Sequence, residues 1–250
     1  MLLETERRFY GQLPHGRDNI GVTVMNLKRH SFVIMALIFS IATISPAFAK
    51  SKPEVDSEGM ELVKKSKLAT VYADPGADLS IYDRIWLQDA TVSFKKNWQR
   101  DQNRSYPLKV RNSDMLRIQE DVATLFMEVF TRELTENGYQ MVEEAGPDVL
   151  LVVPAIVNLD VVAPDIPTST NTRAYSTRAG EMTLNLELYD SLTNDKIAKA
   201  TDRKRDYDRG YAEWRTSVNN TAVARRMMTT WAQALTSALN EARDSTKPSK

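Results

Sequence analysis

The 250-residue chain carries 33 basic and 33 acidic side chains, two histidines and no cysteine. With no net charge it has no long-range field for collecting nucleic acid or an anionic membrane surface. With no thiol it excludes disulfides, thiol redox chemistry and cysteine-ligated metals.

Lys28 and Arg29 precede an apolar run from Phe32 to Ile44 that Ser40 and Thr43 interrupt, and Pro46 and the triplet Ala47-Phe48-Ala49 follow. Charged, apolar and small residues in that order make a secretory signal cleaved after Ala49. The run falls short of the roughly 20 residues a helix needs to span a hydrocarbon core, so a transmembrane anchor is the weaker reading. Residues 1–24 contain Glu4, Glu6 and Asp18, acids foreign to a signal's leading segment, whereas Met25-Asn-Leu-Lys-Arg-His30 is an ordinary basic lead. Residues 1–24 therefore read as a spurious extension and 25–49 as the signal. Cleavage removes His15 and His30, so the exported form has no imidazole for a Ser-His-Asp triad, a Cys-His pair or a zinc site. It also removes more bases than acids and leaves a slight acidic excess. Lys50 stands where a lipid-anchored protein would carry cysteine, so a soluble periplasmic or secreted protein is expected. The roughly 200 residues that remain suffice for one domain with its own core.

Residues 50–80, with Pro53, Gly59, Asp74-Pro75-Gly76 and Lys64-Lys65-Ser66-Lys67, read as a linker ahead of a single domain at 81–243. Tyr82 to Phe94 is the first strand expected, carrying Ile85, Trp86, Leu87, Val92 and Phe94. Lys95 to Arg111 is polar and reads as an exposed loop. Ser113 is placed to cap a helix whose Met115, Ile118, Val122, Leu125, Phe126, Val129 and Leu134 recur at three- and four-residue steps. Asn137-Gly138 closes it, with Gly138 in the left-handed position and Tyr139 returning to Leu134.

A short strand at Tyr139 to Val142 leads to a long one at Asp148 to Val162. Its odd positions are all apolar and its even positions turn polar late, so it should start between two layers and emerge into solvent on one side. Pro154 withholds a ladder donor and suggests a bulge or an edge. Residues 163–179 read as a long surface loop. Glu181 to Tyr189 alternates, with Met182, Leu184, Leu186 and Leu188 inward, and Asp190 to Asp195 turns a hairpin back through Ile197. After a charged stretch from Lys199 to Arg215, Asn219 or Asn220 caps a last helix with Ala224, Met227, Met228, Trp231, Leu235, Ala238 and Leu239 on one stripe. Its methionines and tryptophan read as core and not as a cofactor box. Residues 244–250 read as a disordered tail. The expected fold is α+β: a small mixed sheet of four to five strands with two helices packed on one face, a two-layer sandwich.

The run Ala179-Gly-Glu-Met-Thr-Leu-Asn-Leu-Glu-Leu-Tyr-Asp-Ser-Leu-Thr193, with Asp202-Arg203, Trp214, Ser217-Val218-Asn219, Ala224-Arg225-Arg226 and Trp231-Ala232, resembles the bacterial domain-of-unknown-function 3313 family. The resemblance extends from about Tyr82 to Arg243. It implies an envelope protein, commonly a lipoprotein, with no established activity or catalytic residue to carry over. The missing lipid-accepting cysteine departs from that habit.

The stretch Asp202 to Arg215 mixes basic side chains with Tyr207, Tyr211 and Trp214. Its acids offset most of that charge, so a solvated loop with exposed ion pairs is the plainer reading, and a polar ligand stacked on Trp214 or Tyr211 and held by Arg203 or Arg215 the sharper one. Arg225 and Arg226 sit near a helix start, where the dipole disfavours them, and carboxylates such as Glu181 or Asp202 are their expected partners. Arg203, Tyr211, Trp214, Arg225 and Glu181 are thus the residues named for ligand or partner binding. No catalytic residue, metal site or cofactor is expected, since no glycine-rich phosphate loop or Ser-x-x-Lys helix start occurs. The leading expectation is a non-catalytic exported protein that binds another envelope component or assists envelope assembly through the hairpin's outer face and the 163–179 loop. The alternative is a carboxylate-based hydrolase or binder of cell-wall glycan, for which Glu143-Glu144, Asp160, Asp165 and Glu187 supply the residue type. In cells with signal peptidase blocked, the intact precursor is expected to weigh as a chain starting at Met25; a species starting at Met1 contradicts the reading.

Overall fold

The computed structural model describes residues 52–105, 109–166, 174–207, 210–211 and 213–245. The extension, the signal and the end of the tail lie outside the described residues. Lys50–Lys250 form one unit, described by itself. In chain order the elements are β1 (Glu61–Leu62), β2 (Thr70–Ala73), a short 3-10 turn, β3 (Arg84–Leu87), β4 (Thr91–Phe94), α1 (Trp98–Ser105), α2 (Asn112–Glu136), β5 (Gln140–Met141), β6 (Val149–Val161), β7 (Ala174–Ser176), β8 (Gly180–Asp190), β9 (Lys196–Arg205), β10 (Glu213–Arg215) and α3 (Ser217–Ser245).

The sheet runs β1-β2-β9-β8-β6-β3-β5, and β4 takes over beside β6 where β3 stops. The class is α+β, as expected, but the open mixed sheet has eight strands and not four to five. The added strands are β1, β2 and one more from the division of the expected 82–94 strand, each two to four residues long and too short to show an alternation in sequence. Two of them, β1 and β2, come from the stretch that composition places in a linker, and β2 pairs antiparallel with β9. The single strand expected at 82–94 is divided at Gln88 to Ala90 into β3 and β4, both parallel to β6.

Helices α2 and α3 lie against each other and share one core with the sheet. Leu125, Phe126, Val129, Phe130 and Leu134 of α2 and Met227, Met228, Trp231, Leu235 and Leu239 of α3 meet Ile85, Leu150, Val152, Ile156, Leu184 and Leu186. Burying such side chains contributes about 1.5–3 kcal/mol each, the main term holding the layers together. The α2 C-terminus closes as expected: Gly138 has φ +86°, and the Tyr139 amide donates to the Leu134 carbonyl at 3.1 Å. Its N-terminus differs. Ser113 lies inside the first turn, and the Asp114 carboxylate accepts from the Arg111 amide at 2.9 Å. Within the expected loop at 95–111, α1 forms because Trp98 is buried. It stacks on Phe94 at 4.2 Å, and its indole nitrogen donates to the Val161 carbonyl at 3.1 Å. One anchor in a polar segment leaves no periodicity to read.

The β8–β9 hairpin is as expected. Met182, Leu184, Leu186 and Leu188 are buried, and the Asp190 carboxylate holds the turn by accepting from the Leu192 and Thr193 amides at 2.9 and 2.8 Å. Strand β6 departs from its reading in an informative way. Up to Ile156 the even residues face the helices; the register then shifts between Val157 and Asp160, where Asn158 adopts φ +54° and Leu159 turns into the core. The bulge comes after Pro154, not at it. Pro154 falls where β3 has finished pairing, at Val152, and β4 has only begun, at Ala155. No neighbour there asks for its missing amide.

Gly180 faces this bulge with φ +154°, and a Cβ there would stand 1.9 Å from the Asp160 carbonyl oxygen. Gly180→Ala should therefore cost about 3 kcal/mol of stability, seen as a lower denaturation midpoint with an unchanged slope.

Candidate functional site

Of the five residues named from sequence, the structure joins two. Arg203 Nη2 donates to Glu181 Oε2 at 2.5 Å across β8 and β9, and Arg205 Nε lies 3.6 Å from the same oxygen. Glu181 is 9% exposed and Arg203 59%. Burial pushes the Glu181 carboxyl up, but the guanidinium groups of Arg203 and Arg205 and the Lys95 ammonium outweigh it, and the net direction is down. Arg225 is elsewhere, on α3, where its two terminal nitrogens donate to both Glu128 oxygens on α2 at 2.6 and 2.9 Å. Arg226 reaches Asp206 at 3.2 Å. Pairing inside the fold is what the sequence suggests, but Glu181 and Asp202 are not the partners, because α3 presents Arg225 to α2 and not to β8. Tyr211 is exposed. Trp214 is placed by its backbone alone, opposite Tyr175 in the β7–β10 ribbon, and its side chain lies outside the described residues. So do residues 167–173 of the long loop.

Two acids of the charged stretch are buried, which composition does not reveal. Asp202 accepts from the indole nitrogen of Trp231 at 2.7 Å and from the Ala69 amide at 2.9 Å, with Lys204 Nζ at 3.2 Å. Asp206 accepts from the Ala179 amide at 2.8 Å. The expected loop is thus strand β9 as far as Arg205. A sequence signal existed in the alternation Ala198, Ala200, Asp202, Lys204, the register partners of Leu188, Leu186, Leu184 and Met182.

The second face of the sheet is built by the opposite parity. On β8 it presents Thr183, Asn185 and Glu187, and on β9 Lys199, Thr201 and Arg203, as a face toward water should. On β6 it presents Leu151, Val153, Ala155 and Val157, with Trp86 of β3 beside Leu151; Leu151 is buried and the other four are half-buried. None of these five belongs to the helix-side core. The stripe lies between two groups of paired charges. At one end Lys196 and Lys199 meet Glu187, Glu58 and Asp56; at the other Lys95, Arg203 and Arg205 meet Asp160 and Glu181. An apolar centre with a self-neutralised polar rim has the anatomy of a protein interface.

Three carboxylates near the sheet, Asp160, Glu181 and Glu187, are each held by a cation. Asp160 and Glu181 are register partners, yet Lys95 and Arg203 hold them, and Glu181 is moved away from the raised pKa of a general acid. Glu187 is engaged by Lys196 and the Tyr189 hydroxyl. A cleft of about 120 Å³ between the N-terminal halves of α2 and α3 is lined by Glu181 but by neither Arg203 nor Arg225. Among the described residues no group of three or more His, Cys, Asp or Glu could hold a metal, and no helix is long and apolar enough to cross a membrane.

An open-faced α+β sheet with one helical layer is the class these observations define. The chain belongs to the family described as Protein of unknown function (DUF3313), whose model matches residues 55–235. That match begins ahead of Tyr82 and so takes in β1 and β2. No curated protein matches the chain. Among solved structures it is similar to the PelC dodecamer from Paraburkholderia phytofirmans, at 12% identity over 67% of this chain and 96% of that chain, with a TM-score of 0.35. It is also similar to a minor lipoprotein from Acinetobacter baumannii (13% identity, 65% of this chain, 96% of that chain, TM-score 0.31). A third is a DUF330 protein from Xanthomonas campestris (13% identity, 70% of this chain, 94% of that chain, TM-score 0.34).

Trp231→Phe leaves the buried Asp202 one donor short and should cost about 2 kcal/mol by chemical denaturation. Because its folded pKa is lowered, Glu181 adds stability above its unfolded pKa, and that contribution is lost as pH falls through the folded value. In Arg203→Ala the Glu181 carboxyl, followed by carbon-detected NMR, should titrate at higher pH than in the parent.

Proposed function

We propose that the mature chain is a non-catalytic exported domain that binds another protein of the cell envelope through the open face of its sheet. One observation carries this reading. Strand β6 is apolar on both faces, the composition of a strand buried on both sides, while the described helices cover only one. The expected partner is a surface with an apolar strip and weak net charge, because the rim charges are already paired with one another. Compartment rests on the signal-like segment ahead of Lys50.

A photo-crosslinking amino acid at Asn185, in living cells, should give one discrete adduct heavier than the chain itself. Val157→Lys should abolish that adduct and weaken binding of the captured protein at least tenfold, about 1.4 kcal/mol, while leaving the fold intact because Val157 lies outside the core. Adducts between two copies alone, or retention on purified peptidoglycan that is lost in a Trp214 variant, overturn the reading.

A further inference from the structure

On the helix side of the sheet, the C-terminal half of α3 does not close fully on β2 and β9. A cavity of about 220 Å³ remains between them, walled by Leu186, Leu188, Ala198, Ala200, Ala234 and Ala238. Alanine on both the sheet wall and the helix wall is what leaves the room. These six walls are apolar, and the exposed Ala238 leaves the space open along one edge of α3, so it suits a hydrocarbon chain entering from solvent.

The mouth has a different chemistry. Lys65, Ser66 and Lys67 of the 63–69 loop stand over it, with Ser237 and Glu241 of α3 on the opposite lip. The loop is fixed at both ends, by the Val63 amide on the Val71 carbonyl at 2.9 Å and by the Ala69 amide on the buried Asp202. Lys64 is paired with Glu54. Lys67 Nζ donates only to the Ser237 hydroxyl, at 2.8 Å, and among the described residues neither it nor Lys65 is paired with a carboxylate. Two lysines against Glu241 leave the mouth cationic, on a chain whose charges otherwise balance.

We infer that this cavity binds a free fatty acid. Its alkyl chain lies between α3 and the β8–β9 hairpin, and its carboxylate meets Lys65 and Lys67. The lysine cluster that reads in sequence as part of a linker becomes the head-group site, and the run of alanines on β9 and α3 becomes the wall. The site lies on the opposite side of the sheet from the open face and does not depend on the protein partner proposed there.

The test titrates the full-length chain calorimetrically with laurate, and with dodecyltrimethylammonium, which has the same chain length and a cationic head. Laurate should bind saturably, one per chain and below its micellar range, at least tenfold more tightly than the cation. Ala238→Trp, which extends a ring from the exposed edge of α3 into the cavity, should weaken laurate at least tenfold with the circular dichroism spectrum unchanged. Lys65→Glu combined with Lys67→Glu should reverse the preference between the two heads. Intermolecular NMR contacts from carbon-13 laurate should fall on the Leu188, Ala198 and Ala234 methyls, and they locate the chain even if a variant fails to fold. No saturable binding, equal binding of the two heads, or contacts elsewhere on the protein overturns the assignment.

Discussion

Asn158 holds a left-handed backbone near the C-terminal end of the longest strand, and the fold depends on the change of parity it produces. Before it, the even residues of β6 are in the core; after it, Leu159 is. Without that extra residue, the apolar pattern of β6 would leave Asp160 and not Leu159 turned toward α2. Gly180 makes the bulge admissible, since it lets β8 approach the Asp160 carbonyl more closely than any side chain allows. The end of the sheet nearest the α2–α3 cleft is therefore set by two residues whose value lies in backbone conformation rather than contact.

The second constraint is the pair of buried aspartates. Asp202 joins three separate parts of the chain: strand β9, the tryptophan at the centre of α3 and the amide that leads into β2. A carboxylate with so little exposure is tolerable only because donors surround it, and the same donors fix where α3 crosses the sheet. Asp206 does the equivalent at the far end of β9, joining the start of β8 to Arg226 of α3. Both lie in a run of alternating charges. In such a run, composition cannot separate acids that bind a backbone from acids that balance a neighbour.

Legibility in the sequence followed the range of the interaction. The α2 stripe, its glycine stop, the β8–β9 hairpin and the stripe of α3 were readable because each depends on neighbours a few residues away. Strands β1 and β2 were not, since two to four residues carry no period and gain their place only from a partner strand distant in sequence, whereas the short β5 was readable from the glycine stop just before it. Trp98 was legible as a residue but not as an anchor, because what buries it arrives from Val110 and Ile166. The candidate binding residues fared similarly. Cross-strand proximity brought Glu181 to Arg203, whereas the pairing of Arg225 with Glu128 requires knowing how two helices lie side by side. The open face itself was half visible: the unbroken apolar odd positions of β6 were in plain view, but which parity faces the helices turns on the one bulge.

These constraints leave the two sides of the sheet with different kinds of vacancy. The β6 stripe lies on the face without helices, buried at Leu151, half-buried at Val153, Ala155 and Val157, and rimmed by neutralised ion pairs, an arrangement that suits another protein surface. The space under α3 is apolar on its walls, open along the exposed Ala238 and cationic at its mouth, a combination that suits one chain with one charged end. Packing links them. The alanines that let α3 sit over β9 without filling the space are the register partners of Leu186 and Leu188, whose neighbours along β8, Asn185 and Glu187, face the open side. The same hairpin thus carries the inner wall of one vacancy and half of the outer surface of the other, by the alternation of side chains along its strands.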